Sequence, residues 1–120
     1  MTKRVGRRDV IAGLVVSGVA APAAAHHGWG SYDANGVFAI EGTILAAKYE
    51  NPHGEVEMEH GGKRWTCTLA PPFRMQNRGL PPDMLKVGAR AKVEGYPSRV
   101  NDAEMRAERI TIAGKIVELR

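Results

Sequence analysis

Four histidines are the side chains of this sequence best able to bind a metal ion: His26, His27, His53 and His60. If the chain is cleaved after Ala25, His26 becomes the N-terminal residue, and its free α-amine and ring nitrogen can chelate one metal ion together. A further imidazole from the fold would complete a nitrogen-rich site. Such a site suits Cu(II), which heads the affinity order of the divalent metals and favours tetragonal nitrogen ligands. The first hypothesis is therefore a copper site built on His26.

His53 is the expected partner of His26, because it lies in a short segment with restricted backbone geometry. In Asn51-Pro52-His53-Gly54, the proline fixes its own φ and the glycine permits a sharp exit from the turn. Such a turn can present one imidazole to a metal ion, or its histidine can simply hydrogen-bond to the backbone. Both interpretations stay open, and Asn51 is a candidate ligand-binding residue in the same loop.

The two other histidines have less specific settings. His27 is an additional candidate copper ligand, although His26 and His27 could equally form a solvated chain terminus. His60 precedes a Gly-Gly pair and is expected to be a turn residue. An N-terminal histidine with a second imidazole resembles the histidine brace of copper-dependent polysaccharide oxygenases and of some periplasmic copper carriers.

Residues 1–25 are expected to be a signal peptide that export removes. A basic start is followed by an uncharged stretch and by Ala23-Ala24-Ala25, the small-residue pattern of a cleavage site. The Arg7-Arg8 pair resembles a twin-arginine signal, and that route and the general secretory route both stay open. This uncharged stretch is shorter than a membrane-spanning helix requires and is not continuously apolar. A periplasmic or secreted protein, without stable membrane insertion after cleavage, is therefore expected.

Cleavage changes the charge from which partners are inferred. The leader holds four of the 17 basic residues and one of the 13 acidic residues, so the net charge falls from +4 to +1. A nucleic-acid partner is therefore not expected, since such proteins carry clustered basic surface. Cys67 is the only cysteine, which excludes an intrachain disulfide. It is expected to be a buried core thiol, with a copper ligand or a reactive thiol as the alternatives.

The mature chain is predicted to start with an irregular arm over residues 26–37 and to continue as one domain over residues 38–120. Strands are predicted at 39–49, 55–60, 63–69, 89–99, 104–113 and 116–119. A short helix is predicted from Pro72 to the residues before Gly79. Three strands, a helix and two or three further strands is the element order of the OB-fold, a five-stranded Greek-key barrel. The predicted fold class is mainly β, a small antiparallel OB-fold-like barrel, with a generic barrel or sandwich as the alternative.

Three arginines are candidate ligand-binding residues. Arg74 and Arg78 are four apart and share one face of the predicted helix, where two guanidinium groups could clamp an anion or a carboxylate. A solvated helix face, or an ion pair to the barrel, is the alternative. Arg99 lies in the loop between the fourth and fifth strands. In OB-folds this loop and the first inter-strand loop flank the ligand face, so Arg99 and His53 are expected to share a site.

Five segments of the mature chain resemble a family of small exported bacterial proteins that is catalogued as a domain of unknown function. They are His26–Asp33, Glu50–Gly54, Pro71–Leu80, Glu94–Pro97 and Glu104–Ile110. The resemblance spans essentially the whole mature chain and implies export from a bacterial cell. It implies no activity, so function must be inferred from the site.

Two classes of function therefore compete. The first is an exported metal-binding protein, with copper as the cofactor, acting as a carrier, a sensor or a protective sink. The second is an OB-fold module that binds a small anionic, peptide or saccharide ligand without metal. A copper redox enzyme is the minor alternative, because it would need an open coordination position on the metal and a surface for the substrate. Other catalytic classes are not expected, since the sequence has no nucleophile in a catalytic setting, no paired-carboxylate pattern and no phosphate-binding glycine motif.

Overall fold

The computed structural model describes residues 29–120. The predicted leader, His26 and His27 lie outside these residues. Contacts divide the chain into two units after Ser31, and the second unit is compact and spans residues 32–120. The described part of the first unit is a 3-10 turn at Trp29–Ser31, and the strands all belong to the second unit. Within the part of the chain described here, no helix has the length and apolar character needed to cross a membrane.

Six strands and one α-helix form the second unit. Their bounds are β1 Phe38–Lys48, β2 Glu55–His60, β3 Lys63–Thr68, α1 Pro72–Asn77, β4 Arg90–Pro97, β5 Glu104–Ile112 and β6 Lys115–Glu118, with a 3-10 turn at Pro82–Met84 before β4. The predicted order of three strands, a short helix and further strands is confirmed. At the majority of strand ends, the predicted bound differs from the observed one by one or two residues.

The strands close into a barrel of OB-fold type. β1 pairs antiparallel with both β2 and β4, β2 pairs with β3, and β4 pairs with β5. A parallel pairing of β3 with β5 closes the circle of five strands, and β6 adds to the other edge of β5. The fold class predicted from the sequence, a mainly β, OB-fold-like small barrel with one short helix, is confirmed.

β1 changes partner along its length, and Gly42 lies at the changeover. Residues 38–43 pair with β4, whereas residues 43–48 pair with β2. A Cβ atom at Gly42 would overlap the carbonyl oxygen of Glu59 on β2, so only glycine fits there without a shift. The sequence predicted a bulge or bend near Gly42. In the structure Gly42 stays in register with Ala91 of β4, and the register with β2 shifts two residues further on, between Ile44 and Ala46.

The core lies inside the barrel and under α1. Alternate residues of the strands point inward, and the largest fully buried side chains are Ile40, Ile44, Met58, Leu69, Met75, Leu80, Met105, Ile110 and Leu119, with Val56, Val93 and Val117. α1 contributes Met75 to this core. It ends as predicted, since Gly79 has a φ of 88° and Leu80 N–H donates to Met75 O at 2.7 Å. The helix therefore packs against the barrel core through Met75.

Candidate ligand-binding site

The loop between β4 and β5 encloses a hollow of about 270 Å³ against β3. Its lining comprises Trp65 on β3 and the stretch from Pro97 to Glu104. Trp65 is half-buried, and its ring centroid lies 5.3 Å from that of Phe38, with the two rings tilted by 51°. The hollow thus has one aromatic wall that is fixed from behind, and polar loop residues around the rest.

Hydrogen bonds within the loop hold its shape. The Ser98 hydroxyl accepts the backbone N–H groups of Val100 at 3.1 Å and Asn101 at 3.0 Å, which is the local turn chemistry that serine favours. Ala103 takes a positive φ of 55° at the loop exit, and its carbonyl accepts Thr66 N–H of β3 at 3.0 Å. The loop is therefore tied both to itself and to the strand that carries Trp65.

Glu104 organises the polar side of the hollow. One carboxylate oxygen accepts the side-chain amide of Asn101 at 2.6 Å, and the other accepts the hydroxyl of Tyr32 at 3.3 Å. Burial is the main reason that the pKa of Tyr32 is raised, so this phenol stays protonated and able to donate at neutral pH. The bond to Glu104 orients the Asn101 amide while its own carbonyl oxygen can accept from a ligand.

Charges around the hollow occur mostly in pairs of opposite sign. Lys63 Nζ lies 3.3 Å from Asp102, and Arg99 Nη2 lies 4.0 Å from Asp33. Arg99 Nε also donates to the carbonyl of Tyr32 at 3.1 Å. Such exposed ion pairs contribute little to stability. Together with Glu104, the two cations and three carboxylates nearly cancel, so the hollow has no strong field of either sign.

Of the residues predicted to form a site across two loops, only Arg99 lines this hollow. Asn51 and His53 lie in the loop between β1 and β2, where Asn51 is exposed and His53 is partly exposed. Among residues 29–120, the His53 ring has no hydrogen-bond partner. Sequence reasoning missed Trp65 and Glu104 as site residues, because their positions read as strand residues. The Ser98–Asn101 spacing was the one local signal of an ordered loop.

Arg74 and Arg78 hold the chain that follows β6 against α1. Arg74 Nη1 donates to the carbonyl of Leu119 at 3.2 Å. Arg78 Nη1 donates to the carbonyls of Glu118 at 3.0 Å and Arg120 at 2.6 Å. The two arginines share a face, as expected, but that face meets main-chain carbonyls rather than a carboxylate of the barrel.

His60 and Cys67 have structural surroundings. His60 Nδ1 lies 3.2 Å from the backbone nitrogen of Glu41 and 3.0 Å from its carbonyl oxygen. The ring therefore hydrogen-bonds to the backbone of β1 just outside the stretch that pairs with β2. Cys67 is fully buried, and burial raises the pKa of its thiol to about 12, which suppresses the thiolate that metal binding requires. In residues 29–120 there is no group of three or more His, Cys, Asp or Glu side chains placed to hold a metal ion.

Two of the solved structures with similar folds are structures of TiaS. The ZRD-deleted mutant of TiaS in complex with agmatine has a TM-score of 0.50 and 17% sequence identity, over 69% of this chain and 26% of that chain. A complex of TiaS with tRNA and ATP has a TM-score of 0.48 and 21% identity, over 70% of this chain and 18% of that chain. This chain spans only about a quarter of the first relative, and the likeness is one of fold.

Comparison at the level of sequence families is more specific. No curated protein matches the chain. A family model matches residues 14–107, a range that runs through most of the barrel and ends within β5. The chain therefore belongs to DUF6152, a family of unknown function.

Proposed function

We propose that this protein is a small-ligand-binding module of OB type, and that the hollow between Trp65 and the β4–β5 loop is its ligand site. The observation that carries the proposal is the pairing of an aromatic wall with oriented polar groups on a loop that is tied to the barrel. Sites for small molecules are concave and combine apolar surface with a few placed polar groups. The Trp65–Asn101–Glu104 arrangement has this composition.

The charge balance points to a neutral, hydroxyl-rich ligand such as a saccharide. The cations Lys63 and Arg99 already lie beside Asp102 and Asp33, so an anion would have to compete with carboxylates for them. A sugar ring needs no such exchange. It offers a C–H face to an indole ring and hydroxyls that both donate and accept hydrogen bonds, which suits Trp65 and Asn101.

Asn101→Ala is expected to weaken saccharide binding by about tenfold, because it removes an oriented amide from the polar side of the hollow. The measurement is a saturation-transfer NMR titration with maltose, cellobiose and chitobiose. Asn77→Ala is the matched control, since Asn77 is also an exposed asparagine and lies at the end of α1. If Asn101→Ala and Asn77→Ala bound the best of these sugars as well as the parent protein, the hollow would not be the site.

A second proposal is that the exported protein binds copper through a mature N-terminal His26, with His53 and His27 as further ligands. The observation in its favour is the partly exposed ring of His53, which has no hydrogen-bond partner within residues 29–120 and stands ready as a ligand. His53 alone supplies one donor, so the proposal depends on export and on cleavage after Ala25. Copper would supply a coordination centre for carriage or sensing, and the protein would hold it through imidazole nitrogens.

His53→Ala is expected to reduce the affinity for Cu(II) at least about tenfold, since even the loss of an outer-shell partner of a metal ligand has effects of that size. One residue added before His26 is expected to weaken binding as well, because it displaces the chelating amine. Calorimetric titration of copper into exported protein, whose start at His26 is first checked by intact mass, measures both effects. His60→Ala serves as the control and should bind normally. Equal affinity of the native and extended N-termini would exclude the amine chelate.

A further inference from the structure

The chain that precedes β1 is fastened to the loop that encloses the hollow. Tyr32 forms an antiparallel bridge with Ser98, and Asp33 N–H donates to the carbonyl of Pro97 at 3.0 Å. Residues 32–36, which we call the docked arm, are therefore held by the main chain of two residues that line the hollow.

The side chain of Tyr32 continues from the docked arm to the polar side of the hollow. It is 9% exposed, and its hydroxyl donates to Glu104 at 3.3 Å. Its carbonyl accepts from Arg99 Nε at 3.1 Å, so lining residues of the hollow hold Tyr32 by both its main chain and its side chain. Thr68 and Arg106 also interact with the phenol. Tyr32 does not itself line the hollow, so any influence on a ligand must pass through Glu104 or Arg99.

Glu104 passes this restraint on to Asn101. One carboxylate oxygen is bonded to Tyr32, and the other accepts the side-chain amide of Asn101 at 2.6 Å. The last torsion of a glutamate side chain is soft, so a carboxylate held at one oxygen alone can turn. The backbone of Asn101 is held separately, because its N–H donates to the Ser98 hydroxyl. The direction of the Asn101 amide therefore depends on Tyr32, whereas the position of its backbone does not.

We propose that Tyr32 is a positioning residue of the loop hollow, which fixes the Asn101 amide through Glu104 and so couples ligand binding to the docked arm. The proposal rests on the function proposed for the hollow. Coupling between two events is reciprocal. A ligand that bonds to the oriented amide therefore also holds the arm on the loop, and release of the arm weakens the site.

The first test is a double-mutant cycle on saccharide binding, measured by saturation-transfer NMR with the best of maltose, cellobiose and chitobiose. Tyr32→Phe removes the hydroxyl and is expected to weaken binding about fivefold, because one hydrogen bond to a charged group is lost from the relay. In a protein that already carries Asn101→Ala, the same substitution is expected to have no further effect, since the amide that it positions is gone. Additive losses would overturn the proposal.

The second test needs no ligand. The order of the Asn101 side-chain amide is measured by NMR relaxation in the free protein, with the exposed amide of Asn77 as the reference. Asn101 is expected to be the more ordered of the two and to become as mobile as Asn77 in Tyr32→Phe. Unchanged order would overturn the positioning role. Loss of order in a protein that binds none of the three sugars would support that role and reject the saccharide.

The coupling to the arm is measured by hydrogen exchange. The Asp33 amide, which donates to Pro97 in the docked arm, is expected to exchange about fivefold more slowly when the hollow is saturated with the bound sugar. The same sugar is expected to change this exchange little in Tyr32→Phe. Exchange in the parent protein that does not respond to bound sugar would overturn the coupling.

Tyr96→Phe is the matched control. The Tyr96 hydroxyl donates to Glu108 at 3.0 Å, so this variant also loses a tyrosine–glutamate hydrogen bond, and neither residue lines the hollow. Sugar affinity and the order of the Asn101 amide are expected to stay as in the parent protein. Thermal unfolding of each variant checks that it is folded. Equal effects of Tyr32→Phe and Tyr96→Phe would show a general loosening of the barrel and would overturn the proposal.

Discussion

Gly42→Ala is expected to destabilise the protein by about 3 kcal/mol or more. The added Cβ would occupy the space of the Glu59 carbonyl oxygen, which is backbone and cannot rotate away. Gly42 is also in register with Ala91 of β4, so a shift that relieved the overlap with β2 would disturb the pairing on the other side. Urea unfolding followed by circular dichroism gives the loss of free energy directly.

Gly61→Ala is the control for this substitution. Gly61 lies in the hairpin turn between β2 and β3, where a Cβ would meet nothing within 4 Å. Its φ of 61° is in the left-handed region, so alanine there is expected to be destabilising by only about 1 kcal/mol. A loss of similar, small size at both glycines would show that β1 can move away from Glu59 and that the close approach is not needed for closure.

Raising the pH is expected to destabilise the protein strongly through Cys67. Burial, with a smaller contribution from the charge of Glu55, raises the pKa of the folded thiol from 9.0 to about 12. Above pH 9 the unfolded chain therefore loses a proton that the folded protein keeps. Stability contributed by this group is complete below pH 9 and falls by roughly 1.4 kcal/mol per pH unit until the folded thiol also ionises. The total loss by pH 12 is about 4 kcal/mol.

The measurement is the difference in unfolding free energy between the parent protein and Cys67→Ala, taken at intervals from pH 7 to pH 11. Tyrosines with raised pKa values, Tyr32, Tyr49 and Tyr96, also act at high pH, but they are common to both proteins and cancel in the difference. The alanine variant is expected to be the less stable protein at pH 7 and to lose its disadvantage as the pH rises. A difference independent of pH would mean that the folded thiol ionises normally.

The barrel could be predicted because its signals are local. Val56 and Met58 alternate with glutamates along β2, and Ala91 and Val93 alternate with basic residues along β4; the buried residues are the predicted ones. Gly79 ends the helix where its sequence context places it. Each of these features depends on residues a few positions apart, which is the range over which periodicity and turn chemistry are informative.

The loop hollow could not be predicted in the same way. Trp65 and Glu104 come together only because β3 and β5 pair, and no sequence pattern within either strand predicts that pairing. The contacts of Arg74 are a related case, since its position on the helix face was foreseeable but the carbonyl that it meets belongs to Leu119. Residues whose roles depend on distant segments of the chain are therefore the ones that sequence reasoning misplaced.

The parallel pairing that closes the barrel also bears on how fast the protein folds. Thr66 pairs with Glu104 although the helix, the turns and β4 lie between them in the sequence. Contacts so far apart in sequence slow the folding of small β proteins to milliseconds or longer. Until residues 104–106 are in place, one edge of β3 is open to pairing with another chain. Newly synthesised molecules are therefore most prone to aggregate just before β5 pairs with β3. High expression at elevated temperature is expected to make this aggregation visible.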